Sequence, residues 1–202
     1  VTNRGATGAI VRDIIDADIN VFTEKPLART RAQISLIQDC LKKSRSDLRI
    51  GYMKRHDIGF LHFKNMWDLW LLNNELGKPL KIEAWSHAGD VCRPTHGYLM
   101  TDEPRPAGVE EWPASPDWLN NNSIDEYELF LNVHIHIFNW LCSLTQLNKV
   151  SAVKKNRENE VYIDFESSNF EVSMDCKYRL SGRWDEGAKL YFEKGDVMLR
   201  FP

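Results

Sequence analysis

Apolar residues recur at helical spacing near the start of the chain. Ile10, Val11, Ile14 and Ile15, within residues 7–17, fall on one face and predict an amphipathic helix. "INVFTE" follows as a short, almost continuous apolar run, the pattern of a buried parallel strand. In "TRAQISLIQDCLKK", Ile34, Ile37 and Leu41 form a stripe, and Thr30 with Gln33 three residues on spells a capping box. Lys42 and Lys43 close that helix, where its dipole favours cations. "LRIGYM" reads as a second strand. Helix, strand, helix, strand is the alternation of a parallel α/β sheet.

The texture then changes. Residues 58–79 predict one long helix with Phe60, Phe63, Trp67 and Trp70 on one face, ended by Gly77 and Pro79. "LKIEAWSH" is a strand. Residues 89–123 are irregular and hold Pro94, Pro104, Pro106, Pro113 and Pro116, so this long connection is either functional or mobile. His96, Tyr98 and Trp112 could close it over a sugar ring by stacking, or it could be a plain connector. "DEYELFLNVHIHIFNWLCSLTQ" is expected to be helical from about Leu131. "VYIDFES", "FEVSMDCKYRL", "AKLYFEK" and "DVMLRFP" alternate apolar and polar residues, as an antiparallel meander does. The expected fold class is α/β plus α+β. Residues 1–54 are a remnant of a parallel Rossmann-type sheet, and 55–202 form a second domain with a mostly antiparallel open sheet and flanking helices.

Composition narrows the function classes. The 202 residues are 43% apolar and include seven tryptophans, enough for a sizeable core. A net charge of −3 gives no electrostatic footprint for nucleic acid or an anionic membrane. Lys42-Lys43-Ser44-Arg45 and Lys154-Lys155 read as solvated helix ends or turns. Cys40, Cys92, Cys142 and Cys176 are too far apart for a disulfide framework or a zinc knuckle, so reduced thiols in a cytoplasmic compartment are expected. No apolar run has the length of a membrane span. The abrupt ends at Val1 and at "MLRFP" suggest a fragment of a longer reading frame.

One tripeptide carries candidate chemistry. Glu24-Lys25-Pro26 stands where a parallel strand should end, and α/β sheets bind ligands just beyond such ends. A lysine there can hold a ligand oxygen, and the carboxylate before it can orient the ammonium. A surface Glu-Lys pair at a turn is the plainer alternative. His134-x-His136 could be two metal ligands, but no third ligand stands at a convincing spacing, so no metal is expected. Arg55-His56-Asp57 could be a charged turn, and Arg183 with Trp184-Asp185-Glu186 a cluster on the sheet surface.

With these residues set out, the chain resembles the Gfo/Idh/MocA family of NAD(P)-dependent oxidoreductases. The resemblance rests on "EKPLA", on Gly51, Tyr52 and Arg55 of "GYMKR", and on "NVHIHIFN", which matches a family pattern D-x-G-x-H-x-x-D. It implies NAD or NADP as cofactor and hydride transfer to or from a sugar, polyol or similar carbohydrate. It also implies Lys25 and His136 as catalytic residues, and Glu24, Pro26 and Arg55 at the cofactor. Tyr52, Asn132 and Asn139 would bind substrate, and the second-domain sheet would be a possible homo-oligomer face. Asn132 and Asn139 stand where aspartates are usual, His134 where glycine is usual, and Thr7 where a histidine is common. No G-x-G-x-x-G occurs, so the pyrophosphate cradle is not in this sequence. Two rivals remain: a catalytically silent ligand-sensing or interaction protein of the same fold, and a nicotinamide-assisted glycosidase.

Overall fold

The computed structural model describes residues 4–89, 107–157, 159–167, 169–179 and 183–201. The chain divides into two compact units, Val1–Tyr52 with Leu99–Asn132 and Met53–Tyr98 with Val133–Pro202.

The first unit follows the expected alternation. Helix α1 (Arg4–Asp16), strand β1 (Val21–Thr23), helix α2 (Arg31–Lys43) and strand β2 (Leu48–Ile50) succeed one another. β1 and β2 pair in parallel, Val21 opposite Leu48 and Thr23 opposite Ile50. Val11 and Ile15 of α1 pack with Leu27 and Ile37 to make the core. The capping box is formed: the Gln33 amide donates to Thr30 Oγ1 at 3.2 Å, and the Thr30 amide to Gln33 Oε1 at 3.2 Å. Thr30→Ala should therefore cost about 1 kcal/mol. A lower denaturant midpoint at unchanged slope would report it; an unmoved midpoint would mean packing alone starts α2.

Trp112, from the later segment of this unit, lies on α1. Its amide donates to the Gly5 carbonyl at 2.9 Å. A Cβ on Gly8 would come within 2.5 Å of its ring, so only glycine admits the indole there. Trp112 is thus anchored against α1 by packing and a backbone hydrogen bond. His96 and Tyr98 lie outside the described residues.

The second unit is built on a six-stranded sheet of order β4-β5-β6-β3-β7-β8. Its strands are β3 (Pro79–Ala88), β4 (Leu147–Arg157), β5 (Glu160–Ser167), β6 (Glu171–Tyr178), β7 (Asp185–Phe192) and β8 (Gly195–Phe201). The sheet is mostly antiparallel, but it is not the simple meander the alternation suggested. β3, from much earlier in the chain, lies between β6 and β7, parallel to the first and antiparallel to the second. β4 escaped the sequence reading because nearly all of it is exposed, which erases alternation. It is an edge strand, and Lys149, Lys154 and Lys155 blunt that edge against further pairing. Lys154-Lys155 therefore lies in a strand, not in a turn.

The helix α3 (Ile58–Asn73) turns Phe60, Phe63 and Trp67 into the core. Phe60 meets Trp140 edge-on at 5.9 Å, and Trp67 meets Phe192 at 5.7 Å. α3 stops earlier than Gly77 because Asn74 takes the left-handed conformation, φ 51°, and closes it. Pro79 opens β3 instead. The later helical run begins at Ile124, not near Leu131: α4 (Ile124–Leu129), a π turn (Phe130–His134) and α5 (Ile135–Leu144). Asp125 and Glu126 suit the dipole of its first turn, but their polarity hid the helical period.

Cys40, Cys142 and Cys176 are free thiols. Burial pushes the Cys176 thiol up to about 12, so it is an inert core group. Among the described residues no helix is long and apolar enough to cross a membrane.

Candidate functional site

Glu24, Lys25 and Pro26 leave the carboxyl end of β1 directly, as expected. The Gly51 amide donates to the Thr23 carbonyl at 2.8 Å, which extends the β1–β2 pairing to the strand exits. The Lys25 amide donates to Glu24 Oε2 at 3.3 Å. The Lys25 ammonium donates to the main-chain carbonyl of Asn132, and the Lys25–Pro26 peptide is cis. Lys25 and Asn132 are thus brought together, through the asparagine's backbone rather than its amide. Tyr52 follows β2 half-buried, its amide donating to the Ile50 carbonyl at 2.9 Å.

A cleft of about 680 Å³ opens in this unit beside the start of α2. Leu36, Trp112, Pro113, Trp118 and Tyr127 give it an apolar, aromatic lining. The Tyr127 hydroxyl donates to the Arg29 carbonyl, and Arg29 pairs with Glu128 at 3.0 Å, which fixes one wall.

In the second unit, Arg55 and Asn139 are bonded to each other. Arg55 Nε donates to Asn139 Oδ1 at 2.5 Å and Nη2 to the Asn139 carbonyl at 3.0 Å. Both oxygens of the residue accept from the guanidinium fork, and Asn139 Nδ2 is the group that can donate to a ligand. His136 stands half-buried in the first turn of α5.

A buried polar cluster lies in the same unit, and sequence reasoning missed it. Glu186, expected on the sheet surface, is 1% exposed. Its carboxylate accepts from Ser86 Oγ at 2.9 Å, from Trp184 Nε1 at 2.7 Å and from the Lys54 ammonium. Ser86 Oγ also lies 2.9 Å from His134 Nδ1. His134 therefore turns into the sheet, where burial lowers its pKa to about 4 and keeps it neutral. A signal was available. Ser86 and Glu186 occupy core-facing positions, in step with Ile82 and Ala84 on β3 and with Ala188 and Leu190 on β7. A carboxylate at such a position must be paired. Lys54, beside Arg55, was its natural partner.

Among the described residues no three His, Cys, Asp or Glu side chains converge as a metal set. For a dinucleotide the fit is partial. The adjacent exits of β1 and β2 put Glu24, Lys25 and Gly51 at one sheet end, where a polar ligand head can be held. The backbone amides that cradle a pyrophosphate would need a glycine motif that the 202 residues do not contain.

By fold, the chain is similar to part of several inositol dehydrogenases of known structure. A scyllo-inositol dehydrogenase from Lactobacillus casei, solved with bound cofactor NAD(H) and scyllo-inositol, matches 98% of this chain and 55% of its own, with a TM-score of 0.68 at 14% identity. A myo-inositol dehydrogenase from the same organism, in complex with NAD(H) and myo-inositol, matches 98% of this chain and 53% of its own, with a TM-score of 0.67 at 19% identity. At these identities the likeness is one of fold. By sequence, the inositol 2-dehydrogenase/D-chiro-inositol 3-dehydrogenase of Lacticaseibacillus casei is 37% identical over 81 residues, 40% of this chain and 22% of that protein. The chain thus spans about half the length of the solved dehydrogenases, and its sequence match covers about a fifth of the curated relative. No family model matches it.

Proposed function

We propose that this chain is part of a Gfo/Idh/MocA-type NAD(P)-dependent oxidoreductase acting on an inositol-like polyol or a related sugar. The observation that carries the reading is Glu24-Lys25-Pro26 at the exit of a parallel strand, in a chain whose sequence relatives are inositol dehydrogenases. When bound, the nicotinamide supplies the acceptor or donor of the hydride. Lys25 holds the reacting oxygen and stabilises negative charge as it develops there. His136 takes the hydroxyl proton, a task suited to an imidazole near neutral pH. Glu24 and Pro26 shape the strand exit toward the cofactor. Arg55 faces the cofactor and holds Asn139, whose Nδ2 donates to a substrate hydroxyl; Tyr52 and Asn132 are further substrate-binding candidates. A second copy of the chain would meet the open face of the six-stranded sheet, which carries pairs such as Lys81–Glu83 and Lys177–Asp175. Free thiols suit a reducing, cytoplasmic setting.

The tie of Asn139 to Arg55 favours a second reading, a ligand sensor that binds without turnover. One experiment separates these. The protein, together with any nucleotide-binding segment of its reading frame, is titrated with NAD(H) and NADP(H). Nicotinamide absorbance is then followed with inositols, other polyols and sugars. A change with a polyol supports the dehydrogenase. Binding without turnover supports the sensor, and hydrolysis without net reduction a glycosidase. His136→Ala should lower kcat by about 10²–10⁴-fold and remove the fall in rate at acid pH that protonation of a base causes. A wild-type pH profile in the variant would refute the role.

A further inference from the structure

Glu186, Ser86 and His134 are 1%, 0% and 4% exposed, and the Lys54 side chain is 12% exposed. Groups this deep have settled hydrogens. Lys54 and Trp184 donate to one carboxylate oxygen of Glu186, and the Ser86 hydroxyl donates to the other. A hydroxyl has a single hydrogen. His134 Nδ1, 2.9 Å from Ser86 Oγ, must then be the donor in that contact. The chain has one polarity from end to end, and His134 is a neutral imidazole with its proton on Nδ1. Glu186 and Asp175 favour its charged form and His87 opposes it, but burial outweighs both carboxylates.

The serine lies between carboxylate and imidazole, the reverse of a hydrolase triad, so it is no activated nucleophile. What the chain does hold is a piece of helix. His134 ends the π turn Phe130–His134, and α5 begins at the next residue. A π turn is rare, occurs often at functional sites, and carries one residue more per turn than an α-helix. Reversion to α register would swing the start of α5 by about 100° around its axis, the angle per residue at 3.6 residues per turn. His136 stands in that first turn.

We propose that Lys54, Glu186, Ser86 and His134 form a positioning relay that fixes His134 as the Nδ1–H tautomer, holds the π turn in register and so sets the direction of His136. Only the benefit to turnover rests on the function proposed above; the relay itself does not.

Glu186→Gln tests the polarity. The amide oxygen would face Lys54 and Trp184, and the amide NH₂ would donate to Ser86. The serine hydrogen would then swing to His134 Nδ1, and the imidazole proton would move to Nε2. Nitrogen NMR of the intact protein with labelled histidine reads this at neutral pH. In the wild type Nδ1 should resonate as a protonated nitrogen, and in Glu186→Gln as a bare one. Ser86→Ala, a smaller change, should mix the two tautomers and shift the His136 ring signals and their titration midpoint. Ser86→Thr, which keeps the hydroxyl, should restore both. A bare Nδ1 in the wild type, or an unmoved tautomer in a folded Glu186→Gln or Ser86→Ala variant, overturns the relay. Unmoved His136 signals in Ser86→Ala overturn its positioning role. Ser86→Ala should also lower kcat with KM little changed, restored by Ser86→Thr. A wild type without turnover but with the expected nitrogen signals would sink the enzyme reading and leave the relay standing.

Discussion

Lys25→Ala should remove nearly all turnover, a loss on the order of 10²–10³-fold in kcat, as when one fixed donor to a developing oxyanion is deleted. The geometry explains why so much would rest on one side chain. The ammonium follows the strand exit directly and already donates to the Asn132 carbonyl, so its position is set before any ligand arrives. A cation held in advance needs no reorganisation as negative charge grows on the reacting oxygen. Lys25→Arg should not rescue, because a planar guanidinium cannot replace a compact ammonium at such a point. Turnover and NAD(H) affinity, measured side by side, check this: kcat should collapse while affinity changes little. Wild-type turnover in Lys25→Ala would remove the residue from the chemistry.

Glu186→Ala should cost about 3–5 kcal/mol of stability, the usual cost of stranding one partner of a buried ion pair. Lys54 would be left in the interior without its carboxylate, and the Ser86 hydroxyl and Trp184 N–H would lose their acceptor. Denaturant unfolding at fixed pH gives the number. A double variant, Lys54→Met with Glu186→Leu, should recover part of the loss, because it removes the stranded ammonium but does not restore the acceptor of Ser86 and Trp184. A loss below about 1 kcal/mol for the single variant would show that water reaches the pair, as it does for exposed pairs.

Local rules made much of this chain readable. The Thr30–Gln33 box, the α2 stripe and the β1 and β2 runs depend on neighbours in sequence, and they are where the residues placed them. So is Glu24-Lys25-Pro26, because a strand exit is also a local event. Long-range pairing was the harder part. Nothing near β3 says that it pairs with β6 and β7, and β4, exposed along nearly its whole length, has no alternation to read. At the candidate site, charge misled. Glu186 looked like surface because glutamates usually are, yet its strand position put it in the core. His134 looked as if it belonged with His136, but the π turn sends it toward Ser86.

The placement of β3 also bears on how the polypeptide comes off the ribosome. β3 ends at Ala88, while its neighbours β6 and β7 begin only at Glu171 and Asp185. A nascent chain halted before Glu171 carries the central strand of the sheet with neither flank in place, and Ile82 and Ala84 have no sheet to join. Vectorial synthesis therefore leaves the seam of the second unit open until β6 and β7 have been made, the kind of delay in which unpaired strands invite chaperones.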